Sequence, residues 1–181
     1  MNVANNNKPM NIIDMHVENY APLSDGGPSN QEKQYYPYSH IGCDETGSGD
    51  FFGPLCVVAC YIDERDWLAS LNVRDPKLMT PQEVIEIARE IKDRLVYSLL
   101  ILDNSHYNQM AVAGNNLANI KAKLYNQAVT NVMQKVAIKV DKKVVNQFVS
   151  PKTYYNYLKS EVIVVKDLSF EQKGEEQWQR N

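Results

Sequence analysis

At 181 residues with a formal net charge of −3, the chain is long enough to bury one sizeable core and too acidic to hold nucleic acid by overall charge alone. Apolar residues at 44% and charged residues at 23% are ordinary for a globular domain; no apolar run reaches membrane-spanning length, and the N-terminus lacks a basic-then-apolar leader. The cysteines Cys43, Cys56 and Cys60 show neither metal-ligand spacing nor a disulfide pattern, so a reducing cytoplasm is the expected setting.

Residues 1–37 are polar, with an Asn run at 5–7 and the turn-rich Ser24-Asp-Gly-Gly-Pro-Ser29, and are expected to be disordered or a remnant N-terminal segment apart from a short element near Met10 to Val17. The domain proper is expected over 38–181. It opens with an apolar entry from His40 that carries Asp44 and Glu45, a turn at Gly47-Ser48-Gly49, and a second apolar run from Leu55 to Ile62. This reads as a strand, a tight turn and a returning strand. Neighbouring strand residues point to opposite faces, so the two carboxylates share a direction only if the backbone bends. Taken alone, the pair also fits a plain hairpin with surface acids.

Asp63 to Leu71 suggests a helical turn, and Asn72 to Thr80 a loop. Thr80-Pro81-Gln82-Glu83 combines a capping box with Pro at the first helical position, and Val84, Ile87, Ala88, Ile91 and Leu95 then trace one buried face. Tyr97 to Leu102 reads as a buried strand, Asn104 to Tyr107 as a turn, and Asn108 to Gly114 as irregular or briefly helical. From Leu117 to about Ile138 the longest helix carries its core stripe on Leu117, Ile120, Leu124, Ala128, Val132 and Val136, with Lys121, Asn126 and Gln127 off it. Lys143 to Phe148 is the next strand, Ser150-Pro151 starts a short helix bearing Tyr154, Tyr155 and Leu158, and Glu161 to Lys166 reads as a last strand. Strand, helix, strand with short links implies a parallel, right-handed crossover, and the whole alternation an α/β domain with a mixed sheet. Between Asn104 and Ser160, eight lysines face the single acid Asp141, a stretch of +7 that leaves −10 elsewhere. Either a polyanion lies against that half, or the lysines are solvated helix faces. His16, His40 and His106 are scattered and read as surface or core histidines.

The stretch His40-Ile-Gly-Cys-Asp-Glu-Thr-Gly-Ser-Gly-Asp-Phe-Phe-Gly-Pro54 resembles the signature of prokaryotic type 2 ribonucleases H, most closely ribonuclease HIII. Asn72 to Thr80 is similar to that family's Asp-Ser-Lys loop, with Asp75 and Lys77 matching and Pro76 in place of Ser. Asn119 to Ala128 is also similar, with Tyr125 where a His is common. The resemblance covers roughly residues 38–176, and the segments flanking it are expected to lack the family's terminal apolar helix and an intact N-terminal substrate-binding domain. It implies a ribonuclease H-like mixed sheet flanked by helices, incomplete at the C-terminus. It further implies a four-carboxylate cluster for two Mg²⁺ or Mn²⁺ ions, which would neutralise the scissile phosphate, generate hydroxide and stabilise the leaving oxygen.

Carried over by position, the catalytic and metal-binding residues are Asp44, Glu45, Asn146 (in Val145-Asn146-Gln147-Phe148, where the family has Asp) and Glu175 (in Phe170-Glu-Gln-Lys-Gly-Glu175). Gly47, Ser48 and Gly49 would meet the RNA strand and its 2′-hydroxyls, and Lys77 a phosphate. Asn146 can offer an oxygen lone pair but no charge, which lowers the cluster from −4 to −3 and weakens metal occupancy. The implied function is cleavage of the RNA strand of RNA–DNA hybrids, in a protein whose default state is a monomer. The alternatives are an inactive hybrid-binding module and a truncated fragment without function of its own.

Overall fold

The computed structural model describes residues 39–48, 53–63, 70–71, 73 and 76–171. The expected N-terminal segment, most of the expected helical turn over Asp63 to Leu71, Asp75, Gly49 and Glu175 lie outside the described residues.

Five strands form one mixed sheet. They are β1 (His40–Thr46), β2 (Leu55–Ile62), β3 (Tyr97–Leu102), β4 (Lys142–Asn146) and β5 (Leu168–Glu171), in the spatial order β3-β2-β1-β4-β5. β1 pairs antiparallel with β2 and β2 with β3, as short turns permit; β1, β4 and β5 run parallel. The parallel pairs require crossovers, which α3 (Leu117–Lys135) and α4 (Pro151–Tyr157) help to supply. The remaining helices are α1 (Pro81–Arg94) and α2 (Asn104–Val112).

α3 lies across β1, β2 and β3 and makes the core. Its stripe Ile120, Leu124, Ala128 and Val132 is fully buried, as the 3.6-residue spacing anticipates, and it meets Ile41, Val57, Ala59 and Leu100 from the sheet. Along β2 every second residue (Leu55, Val57, Ala59, Tyr61) is buried under this helix, while Val58 on the other face is 40% exposed. Leu117 and Val136, at the two ends of the expected stripe, are half-buried.

Four expectations change. The strand expected over Glu161 to Lys166 does not pair with the sheet; the fifth strand is Leu168–Glu171. The apolar 161–166 stretch instead has its backbone bound by an amide side chain. Asn126 on α3 donates through Nδ2 to the Ile163 carbonyl at 2.7 Å and accepts through Oδ1 from the Val165 N–H at 2.9 Å. These bonds replace a strand neighbour, and Val165 is buried against α3 while Val162 is fully exposed. The second change is α2, expected as a turn over Asn104 to Tyr107 and an irregular or briefly helical run after it, but helical from Asn104. Asp103 caps it, accepting from the His106 N–H at 2.9 Å, with the His106 imidazole at 2.8 Å. Those hydrogen bonds hold the Asp103 carboxyl below its ordinary range. Asn and Ser suit caps as well as turns, which is why Asn104-Ser105 looked like a break.

The third change concerns α1. Its capping box is present, Thr80 and Glu83 bonding reciprocally, but none of its residues is buried, and Val84 and Ile85 are 37% and 45% exposed. Periodicity identified the helix correctly, but the opposing surface needed to bury its stripe is absent among the described residues. The fourth is the basic stretch. Lys135 donates to the Tyr97 carbonyl at 2.8 Å, Lys142 pairs with Glu171 at 3.0 Å, Lys123 lies 3.7 Å from Glu161, and Lys121 is buried. Half of the eight lysines therefore tie elements of the fold together.

Candidate active site

Asp44 and Glu45 occupy the end of the central strand, where β1 has its last pairings with β2. The strand does not bend between them. Glu45 pairs with Val57 on the face under α3, and Asp44 pairs with Val58 on the opposite face. They converge because the longer Glu45 side chain and the Asp44 carboxylate both reach the hydroxyl of Tyr125, which projects from α3 over the strand end. Tyr125 Oη donates to Glu45 Oε2 and stands 3.4 Å from Asp44 Oδ1. Burial, then the neighbouring Glu45 carboxylate, pushes the Tyr125 hydroxyl far above its ordinary value, so it stays protonated and remains a donor.

One turn earlier on the same helix face sits Lys121. Its ammonium lies 2.5 Å from Glu45 Oε1, and the two side chains are 10% and 8% exposed. The same ammonium stands 4.2 Å from the centre of the Phe148 ring, which in turn meets Tyr125 edge-on at 5.2 Å. Glu45 is thus held on both oxygens by side chains one helical turn apart. Neither Lys121 nor Tyr125 was assigned to the site from sequence. Their i, i+4 spacing and their off-stripe and resembling positions were the available signals.

Asn146 ends β4. Cys43 pairs with Val145, so one step on Asn146 follows beside Asp44, out of the alternation that buries Val145. Asn146 pairs in turn with Glu171, the last residue of β5, whose carboxylate is engaged by Lys142. Three of the four residues expected to hold metal are therefore at one end of the sheet; the fourth, Glu175, lies outside the described residues. Among the described residues no three His, Cys, Asp or Glu side chains converge as a metal-holding group. Two carboxylates and a neutral amide oxygen, with the Lys121 ammonium opposing a cation's charge, offer oxygen donors for one divalent ion at most and do not by themselves make a cluster for two.

Of the expected substrate-binding residues, Gly47 and Ser48 line a polar cleft of about 310 Å³ together with Asn104, Tyr107 and Asn108 of α2. Gly47 has φ +82°, and a Cβ there would stand 2.3 Å from the Pro54 carbonyl oxygen, so only glycine fits. Lys77 is exposed on a one-turn 3₁₀ helix, Pro76–Leu78. Tyr154 is fully buried and packs edge-on against Phe170 and Tyr155 at 5.2 and 5.5 Å; it belongs to the core rather than to a nucleotide platform. The three cysteines are free thiols, and burial raises that of Cys43.

A sheet ordered 3-2-1-4-5, its first three strands antiparallel and the rest parallel, with acids closing the central strand, defines a ribonuclease H-like fold. Residues 41–179 match the ribonuclease HII family, and the chain belongs to that family. It is 40% identical over 141 residues to ribonuclease HIII of Bacillus cereus strain AH187, an alignment covering 76% of this chain and 45% of that protein. The crystal structure of Bst-RNase HIII in complex with Mn²⁺ superposes with a TM-score of 0.72 at 27% identity, covering 83% of this chain and 54% of that one. Ribonuclease H2 from Pyrococcus horikoshii OT3 shares the fold at a TM-score of 0.59 and 24% identity, over 75% of this chain and 63% of its own. The chain spans about half the length of the curated relatives it matches. No described helix is long and apolar enough to cross a membrane.

Proposed function

We propose that this chain is a divalent-metal-dependent endoribonuclease domain of the ribonuclease HIII kind, directed at the RNA strand of RNA–DNA hybrids and slowed by Asn146. The observation that carries this reading is the placement of Asp44, Glu45 and Asn146 at one end of adjacent parallel strands. Family membership and the Mn²⁺-bound neighbour support it. Asp44, Glu45 and Asn146, with Glu175 as the fourth, would hold Mg²⁺ or Mn²⁺; two ions need the charge of Glu175 in addition. When bound, such ions supply charge neutralisation at the scissile phosphate and an activated water. Tyr125 keeps its proton and orients the Glu45 carboxylate. Gly47 and Ser48 present an exposed turn on a polar cleft where a ribose hydroxyl can be read, and Lys77 is exposed to meet a phosphate.

The charge missing at Asn146 governs the expected rate. With Mg²⁺ or Mn²⁺ and a labelled hybrid, the chain as it stands cleaves slowly, and Asn146→Asp raises the rate by roughly tenfold or more, equivalent to about 1.4 kcal/mol of barrier. An unchanged rate in a well-folded Asn146→Asp sample refutes the charge argument. A second reading, a hybrid-binding module without turnover, is favoured by the neutral Asn146 and the engagement of Glu45 by Lys121. Tight hybrid binding without cleavage in both proteins would select it.

A further inference from the structure

We propose that Lys121 is a resident counter-cation of the acidic centre, so that a divalent ion reaches Glu45 only by displacing its ammonium, and this exchange sets the metal affinity of the chain. The inference rests on the metal-holding part of the reading above and concerns how the site is filled. Glu45 Oε1 faces Lys121 Nζ at 2.5 Å while Oε2 accepts from Tyr125, so each carboxylate oxygen already has a protein donor. Lys121 is held from two sides, by that carboxylate and by the Phe148 ring at 4.2 Å. Phe148 stands two residues beyond Asn146, so the chain leaving β4 supplies both a neutral amide and the ring that fixes the ammonium.

Charge and tethering both favour the ammonium. Asp44, Glu45 and Lys121 sum to −1, where the two acids alone would present −2 to an incoming ion. Lys121 is built into α3 and loses no translational freedom on meeting Glu45, whereas a free ion must be recruited from solution. The side chains are nearly inaccessible to water, so screening does little to loosen the pair. A hydrated divalent ion would therefore compete with an anchored cation for one site: Lys121 needs the carboxylate oxygen that the metal would take.

Mn²⁺ alone is the probe, with the full chain and no nucleic acid, and free Mn²⁺ is followed by its electron paramagnetic resonance signal. Lys121→Met, which retains the apolar stem over Phe148, is expected to bind Mn²⁺ at least tenfold tighter than the unaltered chain. Lys121→Arg, which keeps the charge, is expected to stay within about twofold of it. Equal or weaker binding by a folded Lys121→Met variant overturns the proposal, as does absence of Mn²⁺ binding in all three proteins. A second measurement needs no variant: in ¹⁵N spectra of the lysine ammonium groups, the Lys121 resonance moves to the solvated position as Mg²⁺ is added, with the midpoint of metal binding. A resonance unmoved at saturating Mg²⁺ overturns the proposal even where Lys121→Met fails to fold. Because neither measurement contains a hybrid, failure of the nuclease reading appears only in the Asn146→Asp assay and leaves these outcomes legible.

Discussion

Replacing Asn126 by Ala removes both hydrogen bonds that tie the 163–165 backbone to α3. Each such bond contributes about 1 kcal/mol net, and leaving the Val165 N–H unsatisfied costs a further ~1–3 kcal/mol because Val165 is only 6% exposed. The Ile163 carbonyl recovers water more easily, since Ile163 is 54% exposed, so its share stays at the lower figure. Against this, Ala is a better helix former than Asn by up to about 0.7 kcal/mol. The net expectation is a loss of about 2–4 kcal/mol, read as a lower urea midpoint at constant m-value, or roughly 4–16 °C in Tm for a domain of this size. Asn126→Asp separates the two bonds, since it keeps an acceptor for Val165 but sets a carboxylate against the Ile163 carbonyl; it is expected to be at least as destabilising. A loss under about 1 kcal/mol for Asn126→Ala would show that the 161–166 stretch is held by its apolar contacts and not by this amide. The stretch matters beyond stability because it delivers the chain to β5, whose last residue pairs with Asn146.

Gly47→Ala is expected to cost about 2 kcal/mol or more, from a left-handed backbone at φ +82° and a collision 2.3 Å from the Pro54 oxygen. Gly114→Ala, with φ +90° and nothing within 4 Å, has only the backbone component, so urea melts of the two isolate the collision; equal losses would refute it. Burial pushes the hydroxyls of Tyr125 and Tyr154 well above 10, so both hold their protons in the fold where the unfolded chain would release them. Their contribution to stability is complete below pH about 10 and is lost as pH rises beyond it. In a spectrophotometric titration near 295 nm, two of the 11 tyrosines are expected to ionise only on alkaline unfolding, and full titration of the native protein would contradict this.

Local chemistry was enough to locate most elements. Alternation and turn residues placed β1, β2 and β3, capping residues placed the starts of α1 and α4, and a 3.6-residue stripe placed α3, because each of these signals is generated by residues close in sequence. The Asp44-Glu45 pair, the turn at Gly47 and the resemblance around them likewise pointed to the end of a strand; that the strand is central, with Asn146 of β4 at its side, is a matter of sheet topology. Only the tertiary structure decided which apolar stretches found a surface. Val165 met Asn126 and stayed out of the sheet, and the stripe of α1 met too little to be buried. The same holds for charge. Lys121 is an unremarkable helix lysine by composition, and it becomes part of the acidic centre because α3 crosses β1 at Glu45, a contact between residues 76 positions apart that no local pattern encodes.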